Sequence, residues 1–242
     1  MIDWSSFAYL AAAVLFILGI KGLGSAKTAG RGNVLAATGM LLAIVATLYL
    51  TRVVQLELIL GGIVIGALIG SILAKKIEMT AMPEMVALLN GFGGAASALV
   101  GISEYLSRQG ETTGGMVSIA IVLSLLIGSL TFTGSLIAFG KLQGLLSSQP
   151  VTYPAQQVVN ALILSAGLGL GVLLATSPFS ELYLVLLLSV ALLLGILAVL
   201  PIGGGDMPVV ISLLNSYSGL AACATGFVLG NAGLVISGSL VG

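Results

Sequence analysis

The sequence contains eight long apolar runs, which restrict the folds that the chain can adopt. The runs are Phe7 to Ile20, Val34 to Leu50, Leu56 to Ala74, Met82 to Leu106, Met116 to Phe139, Val158 to Ala175, Leu182 to Leu200 and Met207 to Leu229. All but the first have a length close to or above the roughly 20 residues that a helix needs to cross the hydrocarbon of a bilayer, and the runs lack the alternation of barrel strands. Charged residues make up only 7% of the chain, too few for the surface of a soluble domain. The sequence therefore predicts an all-α fold, a polytopic transmembrane helical bundle.

The first and last runs define the ends of the predicted bundle. Asp3 precedes the first run and Lys21 follows it, the reverse of a signal peptide, so this run is predicted to be a true span. A ninth run begins after Asn231 and stops at Gly242, about half a helix long. We therefore expect eight full helices plus the start of a ninth, which is truncated, disordered or continued elsewhere.

Basic residues are distributed unevenly between the two predicted sides. Six of them follow the first, third and fifth runs, whereas only Arg52 and Arg108 lie on the other side. By the positive-inside rule the N-terminus is outside and the end of the ninth helix is inside. The fourth and eighth helices then both enter from the cytoplasm and run parallel.

A sequence repeat links these two helices. When Met82–Gly101 is aligned with Met207–Gly226, each matched position lies 125 residues from its counterpart and 8 of 20 positions are identical. Pro83 and Pro208 are placed where helices begin, because proline has no N–H to lose in the first turn. The repeat therefore predicts two helices that start in the same way.

Each repeat carries one asparagine deep in the predicted membrane and one acid near its entrance. Asn90 and Asn215 follow the prolines by seven residues, which places them about 10 Å into the helix at 1.5 Å per residue. Amides at this depth either join helices or hold a chain of water, since they donate and accept hydrogen bonds. An amide carries no proton, so a proton path would need Glu84 and Asp206 at its entrance; the alternative is simple stabilisation by the helix dipole.

Small and hydroxylated residues fill several of the predicted helices. Glycines in the third, fourth and sixth helices predict close helix packing, with room for water or another helix as the alternative beside Asn90. The hydroxyls of the fifth helix either bond to the carbonyl four residues earlier or line a water path. These residues are Gly61, Gly62, Gly66, Gly70, Gly91, Gly93, Gly94, Gly167, Gly169 and Gly171, and Ser124, Ser129, Thr131, Thr133 and Ser135.

Several functional classes are disfavoured by what the chain lacks. It has no histidine, its single cysteine Cys223 is predicted to be a packing residue, and it has no Gly-rich phosphate loop. We therefore expect no catalytic, metal-ligating or cofactor-binding residue in this chain. A formal net charge of zero without a basic patch argues against nucleic acid as a partner.

Three segments identify a family resemblance. AKKIEMTAMPEMVALL, LTFTGSLIAFGKLQGLLSSQP and GGGDMPVVISLLNSYSG resemble the membrane domain of the β subunit of proton-translocating NAD(P) transhydrogenase, and the resemblance covers essentially the whole chain. It implies a complex in the bacterial inner membrane that couples hydride transfer between NADH and NADP to proton passage. Residues 1–242 would be the transmembrane proton-translocating domain, without the β subunit's own C-terminal NADP(H)-binding domain.

The resemblance also implies partners and site residues. The expected partners are α subunits with an NAD(H) domain and companion membrane helices, the missing NADP(H) domain, the lipid bilayer and a second copy of the complex. Lys141 matches a charged cytoplasmic position of the family. Glu84 matches another such position, and Asn215 and Asp206 match family positions tied to proton conduction and to coupling with the NADP domain. Gly238 and Gly242 match the glycine-bearing start of the final helix, which the family uses for packing or gating. Together with the arguments from the residues, the predicted proton path comprises Asn90, Asn215, Asp206, Glu84, Ser129 and Thr131.

Asn90 departs from the family pattern. Many family members have a histidine there, which is a proton carrier with a pKa near neutrality. We therefore expect a companion subunit's helix to supply a titratable side chain opposite Asn90. A partner with no His, Asp or Glu at mid-depth of any helix would contradict this expectation.

Two other classes remain open at this stage. A secondary transporter or ion channel would fit a parallel helix repeat, although the repeat covers two helices and not two halves of the fold. Substrate-stimulated flux through this chain alone would favour that alternative, and dependence on nucleotide-binding partners would favour transhydrogenase. A purely structural scaffold would tolerate Asn215→Leu with full coupled activity.

Overall fold

The computed structural model describes residues 4–50, 56–109 and 115–242, with side chains described for 7–49 in the first range. Asp3 and Arg52, which entered the arguments on the first span and on orientation, lie outside these residues. The described chain is helical and contains no strand. Its helices are α1 Trp4–Leu23, α2 Ala29–Leu50, α3 Leu56–Lys76, α4 Met82–Ser107, α5 Met116–Leu142, α6 Gln156–Thr176, α7 Glu181–Val199, α8 Met207–Val228 and α9 Ala232–Val241.

These helices confirm the predicted fold class. Within the described residues seven helices, α2 to α8, are long and apolar enough to cross a membrane, while α1 and α9 contribute shorter apolar segments. The described chain thus has eight helices of 19 residues or more and a ninth of 10, as expected. It is a multi-pass helical membrane protein, and its orientation in the membrane stays a prediction.

The chain divides into two compact units, of which the first spans Met1–Met79. In this unit α1 and α2 form an antiparallel hairpin with little space between the backbones. A methyl group built on Gly22 would lie 2.8 Å from the Cα of Gly32, an approach that only small residues permit between membrane helices. Tyr9 Oη and Thr47 Oγ1 hydrogen-bond across the hairpin at 2.9 Å.

The third helix differs from the close packing predicted for it. None of the residues of α3 is buried, and no atom of the described residues lies within 4 Å of a methyl group built on any of its four glycines. In α6 the prediction holds at Gly167 and Gly171, where such a methyl group would contact side chains of α5. Glycine spacing predicted which positions permit close packing, but not whether a neighbour is present.

The second unit, Thr80–Gly242, is built around α5. α4, α6, α7 and α8 all pack against α5, and α9 packs against α8. Gly94 lies against Gly128 and Gly101 against Leu125, so α4 is antiparallel to α5. The contacts of Gly134 with Leu214 and of Ser124 with Thr225 make α8 antiparallel to α5 too. As predicted from the alternation of the spans across the membrane, α4 and α8 therefore run parallel.

The two repeat helices begin in the same way, as predicted. Pro83 and Pro208 occupy the first turn, where the missing N–H leaves no hydrogen bond unmade. A short 3₁₀ turn precedes each helix, Met79–Ala81 before α4 and Gly204–Asp206 before α8. We call the end of the unit at which these helices begin its inner end; the positive-inside rule predicts that it is cytoplasmic.

Two apolar clusters form the core of this unit, one towards each end. The inner cluster comprises Ala87, Ala138, Val199, Met207, Val210, Ile211 and Leu214. The outer cluster comprises Tyr105, Ala120, Ile121, Leu125, Leu126, Leu174, Leu184, Leu187, Ala191 and Val228. Between these clusters the interface of α4, α5 and α8 carries buried polar side chains.

Candidate functional site

One face of α5 carries regularly spaced small and hydroxylated residues. Ser124, Gly128, Thr131 and Ser135 follow one another at intervals of four, three and four residues, which returns to the same side of a helix with 3.6 residues per turn. All four are buried. This face therefore offers three hydroxyls along α5 to the helices that pack against it.

Asn90 joins three helices at the inner half of this face. Its side chain is 8% exposed, and Nδ2 donates a hydrogen bond to Ser135 Oγ at 2.9 Å. Ser218 Oγ on α8 donates to the backbone oxygen of Asn90 at 3.4 Å. Asn90 thus lies inside the contact of α4, α5 and α8, and its amide is bonded within this chain.

A second polar contact lies in the outer half of the same interface. Ser124 Oγ and Thr225 Oγ1 are 3.2 Å apart, and Thr225 Oγ1 donates to the Ala221 carbonyl at 2.9 Å. Because the Thr225 hydroxyl has only one proton, Ser124 is the donor between the two side chains. α5 and α8 are therefore joined by a buried hydrogen bond at this level.

Ser97 lies seven residues after Asn90, on the same side of α4, and is 7% exposed. We call these groups together the polar row; its members are Asn90 and Ser97 on α4, Ser124, Thr131 and Ser135 on α5, and Ser218 and Thr225 on α8. Ser124 and Ser135 are eleven residues apart, so the row extends about 16 Å along α5 at 1.5 Å per residue. That is roughly half of the 30 Å hydrocarbon thickness.

The polar row is interrupted at Thr131. This side chain is 0% exposed, and its hydroxyl has no hydrogen-bond partner among the described residues. Beside it α4 and α5 touch, since methyl groups built on Gly94 and Gly128 would each lie 2.7 Å from the other glycine's backbone oxygen. A buried hydroxyl without a partner is unfavourable by about 1–3 kcal/mol. The break in the row thus coincides with its tightest helix contact.

Asn215 lies elsewhere, although it is the repeat counterpart of Asn90. It is exposed on α8 and makes no hydrogen bond to any described residue. The residues of α8 that turn inwards at this level are Leu214, buried against α5, and Ser218. The structure therefore brings Asn90 into the polar row and leaves Asn215 outside it.

Ser129 also lies apart from the row. It is 2% exposed, but five residues from Ser124 correspond to about 140° around the helix. Thr133, four residues further along that side, donates to the Leu192 carbonyl of α7 at 2.8 Å. Of the two hydroxyls predicted for the path, the structure places Thr131 in the row and Ser129 on another side of α5.

The two predicted acids lie at the inner end. Glu84 is half-buried in the first turn of α4 and accepts a hydrogen bond from Gln143 Nε2, just after α5. Asp206 is exposed and directly precedes α8. Both carboxylates thus stand at the ends of helices that form the polar row, one of them tied to α5.

Gly238 and Gly242 pack α9 against α8. A methyl group on Gly238 would lie 2.4 Å from the Cys223 nitrogen, and one on Gly219 would lie 2.3 Å from the Gly242 nitrogen. Ser216 Oγ donates to the Gly242 carbonyl at 2.7 Å. The two glycines therefore contact α8 directly, whereas a gating role for them stays a prediction.

Sequence reasoning missed three members of the row and one group at the inner end. Ser97, Ser218 and Thr225 carried no individual signal, because isolated hydroxyls in apolar helices usually bond to their own backbone. Gln143 was overlooked as a loop residue. For α5 a signal did exist: the spacing of Ser124, Thr131 and Ser135 separates them from Ser129 and Thr133 on a helical projection.

Known proteins resemble this chain in sequence. A family model for the NAD(P) transhydrogenase beta subunit matches residues 5–242. The NAD(P) transhydrogenase subunit beta of Rhodospirillum rubrum is 43% identical over 241 residues, which cover 97% of this chain and 52% of that protein. The protein from a strain of the same species matches with the same identity and coverage. The chain therefore spans about half the length of the curated relatives it matches.

Proposed function

The chain belongs to the NAD(P) transhydrogenase beta subunit family, and from this premise we propose that it forms the proton-conducting membrane part of a transhydrogenase. In this proposal the complex transfers hydride between NADH and NADP and couples that transfer to proton movement through this chain. The observation that carries the proposal is the polar row, a buried series of hydroxyls and one amide between α4, α5 and α8. Family membership does not favour the transporter or channel alternative.

The row conducts protons only when water enters it. Hydroxyls and an amide orient water and relay hydrogen bonds, but they do not hold a charge near neutral pH. In this structure α4 and α5 are in backbone contact at Gly94 and Gly128, a closed arrangement that prevents a leak. Opening this contact would admit water beside Thr131, whose hydroxyl then gains the partner that it lacks here.

Proton carriers are needed at the ends of the row. Glu84 and Asp206 are the acids at the inner end, where protons would enter from or leave to the cytoplasm. Asn90 is buried and bonded to Ser135, so a companion helix does not reach it directly. We therefore propose that the companion's titratable side chain lies against the exposed face of α8 that carries Asn215, and not opposite Asn90 as expected from the sequence.

The nucleotides belong to other parts of the complex. Within the described residues no strand precedes a Gly-rich loop that would hold a pyrophosphate, and the row lies between helices in backbone contact. A nicotinamide nucleotide does not fit these residues, so no step of the proton path involves one. The partners in our proposal are an NADP(H) domain, α subunits with an NAD(H) domain and companion helices, and a second copy of the complex, all at the bacterial inner membrane.

The test uses the complete complex, reconstituted in proteoliposomes. Proton uptake and nucleotide reduction are followed together for wild type, Asn215→Ala and the matched control Leu213→Ala, which alters an exposed apolar residue two positions away. We expect wild type and the control to couple the two processes, and Asn215→Ala to lose both. Wild-type complex that reduces nucleotide without moving protons would overturn the proposed function.

A different result would refute only the site. If wild type couples normally and Asn215→Ala does so as well, Asn215 is no part of the proton path and the companion side chain is not bound there. In that case the variant Asn90→Ala, tested in the same way, shows whether the buried asparagine of the row is needed. Full coupling in both asparagine variants would exclude the polar row as the path.

A further inference from the structure

Lys141 is the most completely buried charged residue among those described, and neither the fold nor the proton path accounts for it. It lies in the last turn of α5 and is 1% exposed. Among the described residues no carboxylate pairs with it, because the one ion pair there joins Arg108 and Glu104. A buried ammonium without a counter-ion is strongly unfavourable unless its protons are hydrogen-bonded.

Three backbone carbonyls satisfy the Lys141 ammonium. Nζ donates to the oxygens of Leu200 at 2.6 Å, Ile202 at 2.7 Å and Gln149 at 3.3 Å. An ammonium has three protons and no acceptor, so each proton has one partner. Leu200 caps the C-terminus of α7, where unpaired carbonyls and the negative end of the helix dipole favour a cation.

These carbonyls belong to the two connections at the inner end. Gln149 lies in the α5–α6 connection, residues 143–155, and Leu200 and Ile202 lie in the α7–α8 connection, residues 200–206. Two backbone hydrogen bonds join the same connections, from Val151 N to Leu200 O at 3.3 Å and from Gly204 N to Ser148 O at 2.8 Å. Lys141 thus stands at the centre of a junction that joins α5, the α5–α6 connection and the end of α7.

The junction anchors a glycine segment that is otherwise held only by a short 3₁₀ turn. Between Ile202 and Asp206 the α7–α8 connection consists of Gly203, Gly204 and Gly205. Glycine loses more conformational freedom on ordering than any other residue, so three in succession hold Asp206 poorly by themselves. Here Lys141 binds the residue before the glycines, and Ser148 binds the middle one.

We propose that Lys141 is a positioning residue for proton coupling: by binding the carbonyls of Leu200, Ile202 and Gln149, its ammonium fixes the α7–α8 connection and holds Asp206 at the entrance of α8. Lys141 does not carry the transferred proton. This inference rests on the proposed function, because it assigns to Lys141 the placement of an acid at the inner end of the polar row.

The first test replaces Lys141 with Met in the complete complex, which keeps an unbranched side chain and removes the charge and all three donors. The readout is the number of protons taken up per hydride transferred, because this ratio does not depend on how much folded complex is present. We expect it to fall by more than about tenfold, because the loss of even one of the three charge-assisted hydrogen bonds implies about that factor. Lys76→Met, which removes an exposed charge at the end of α3, is the control and should keep the wild-type ratio.

A second pair of variants leaves Lys141 in place and so remains informative if Lys141→Met does not accumulate. A methyl group on Gly204 would lie 3.0 Å from Ser148 Cβ, whereas nothing lies within 4 Å of one on Gly205. Gly204→Val should therefore displace the connection and lower the ratio, and Gly205→Val should not. Equal ratios for the two valine variants would overturn the inference.

Chemical rescue separates the charge from the volume of the side chain. Lys141→Ala leaves space for a small amine, so propylammonium should restore part of the proton-to-hydride ratio, whereas propanol of similar size should not. Rescue by both compounds, or a wild-type ratio in Lys141→Met, would show that the ammonium has no positioning role. If the wild-type complex itself moved no protons, the proposed function would fail before this inference was tested.

Discussion

α4 and α8 carry the same motif in the same unit and both pack against α5, but the motif has a different neighbour in each helix. In α4 the motif faces α5: Asn90 bonds to Ser135 and Gly94 touches Gly128. In α8 the counterpart of Gly94 is Gly219, which touches α9 at Gly238 and Gly242, and the counterpart of Asn90 is exposed. The repeat thus produces one asparagine inside the polar row and one outside it.

The difference shows what the motif encodes. A proline in the first turn starts both helices, and a glycine eleven residues later permits a close neighbour in both. Which neighbour occupies that position depends on the remaining helices of the unit. Two equal motifs therefore have two different surroundings, a buried polar contact at Asn90 and an exposed amide at Asn215.

The largest expected effect comes from closing the space between α4 and α5. Gly94→Val should lower the free energy of unfolding by about 3 kcal/mol, the upper part of the range for overpacking, because its first added carbon would meet the Gly128 carbonyl at 2.7 Å. Unfolding of the reconstituted complex in SDS measures this. Gly93→Val is the matched control, since nothing lies within 4 Å of its added carbon. Equal stability of the two variants would show that the contact is not tight.

Replacing each asparagine with leucine tests the comparison between the two helices directly. Asn90→Leu should reduce the free energy of unfolding by about 2 kcal/mol, because it forces apolar bulk into a close contact and leaves Ser135 without its donor. Asn215→Leu should leave it unchanged, since the side chain is exposed and unbonded within the described residues. Both should abolish coupled proton uptake. A loss of stability in Asn215→Leu as large as in Asn90→Leu would break the distinction.

Thr131→Val should stabilise the closed unit and impair its activity. The valine methyl group is close in size to the hydroxyl that it replaces, and the substitution removes a buried polar atom without a partner. The free energy of unfolding should therefore rise by about 1 kcal/mol. Proton uptake should fall, because water entering the row would lose a partner there. Unfolding in SDS and proton uptake in proteoliposomes are measured on the same preparation. The control is Thr176→Val, which alters an exposed threonine of α6. A stability loss would mean that the Thr131 hydroxyl is bonded in the complex.

The smallest expected effect concerns the hydrogen bond between α4 and α5. Ser135→Ala removes the acceptor of Asn90 Nδ2 and should lower the free energy of unfolding by about 0.6 kcal/mol, the average for such bonds between membrane helices. Ser165→Ala should have no effect, because that hydroxyl bonds only to the Ala161 carbonyl of its own helix. If the two variants differ in proton uptake as well as in stability, Ser135 contributes to the path.

The candidate site could be anticipated in part. Asn90 stood out because polar residues are rare in apolar helices and the repeat marked its position, and Glu84 and Asp206 stood out as acids near the starts of the repeat helices. The pairing of Asn90 with Ser135, and not with Asn215, could not be read from the repeat, since equal depth in two parallel helices says nothing about which sides face each other. Ser218 and Thr225 became visible only when α8 was placed against α4 and α5.

The sequence by itself determined the class of fold, the helices and the starts of α4 and α8, because apolar length, charge and proline act locally along the chain. The tertiary structure decided which polar groups meet, since a polar side chain can bond to another helix only where that helix faces it. It buried Asn90 and exposed Asn215, closed the row at Gly94 and Gly128, and surrounded the Lys141 ammonium with carbonyls from two connections. Contacts between residues 59 positions apart, such as Lys141 with Leu200, arise from helix packing and leave no local pattern in the sequence.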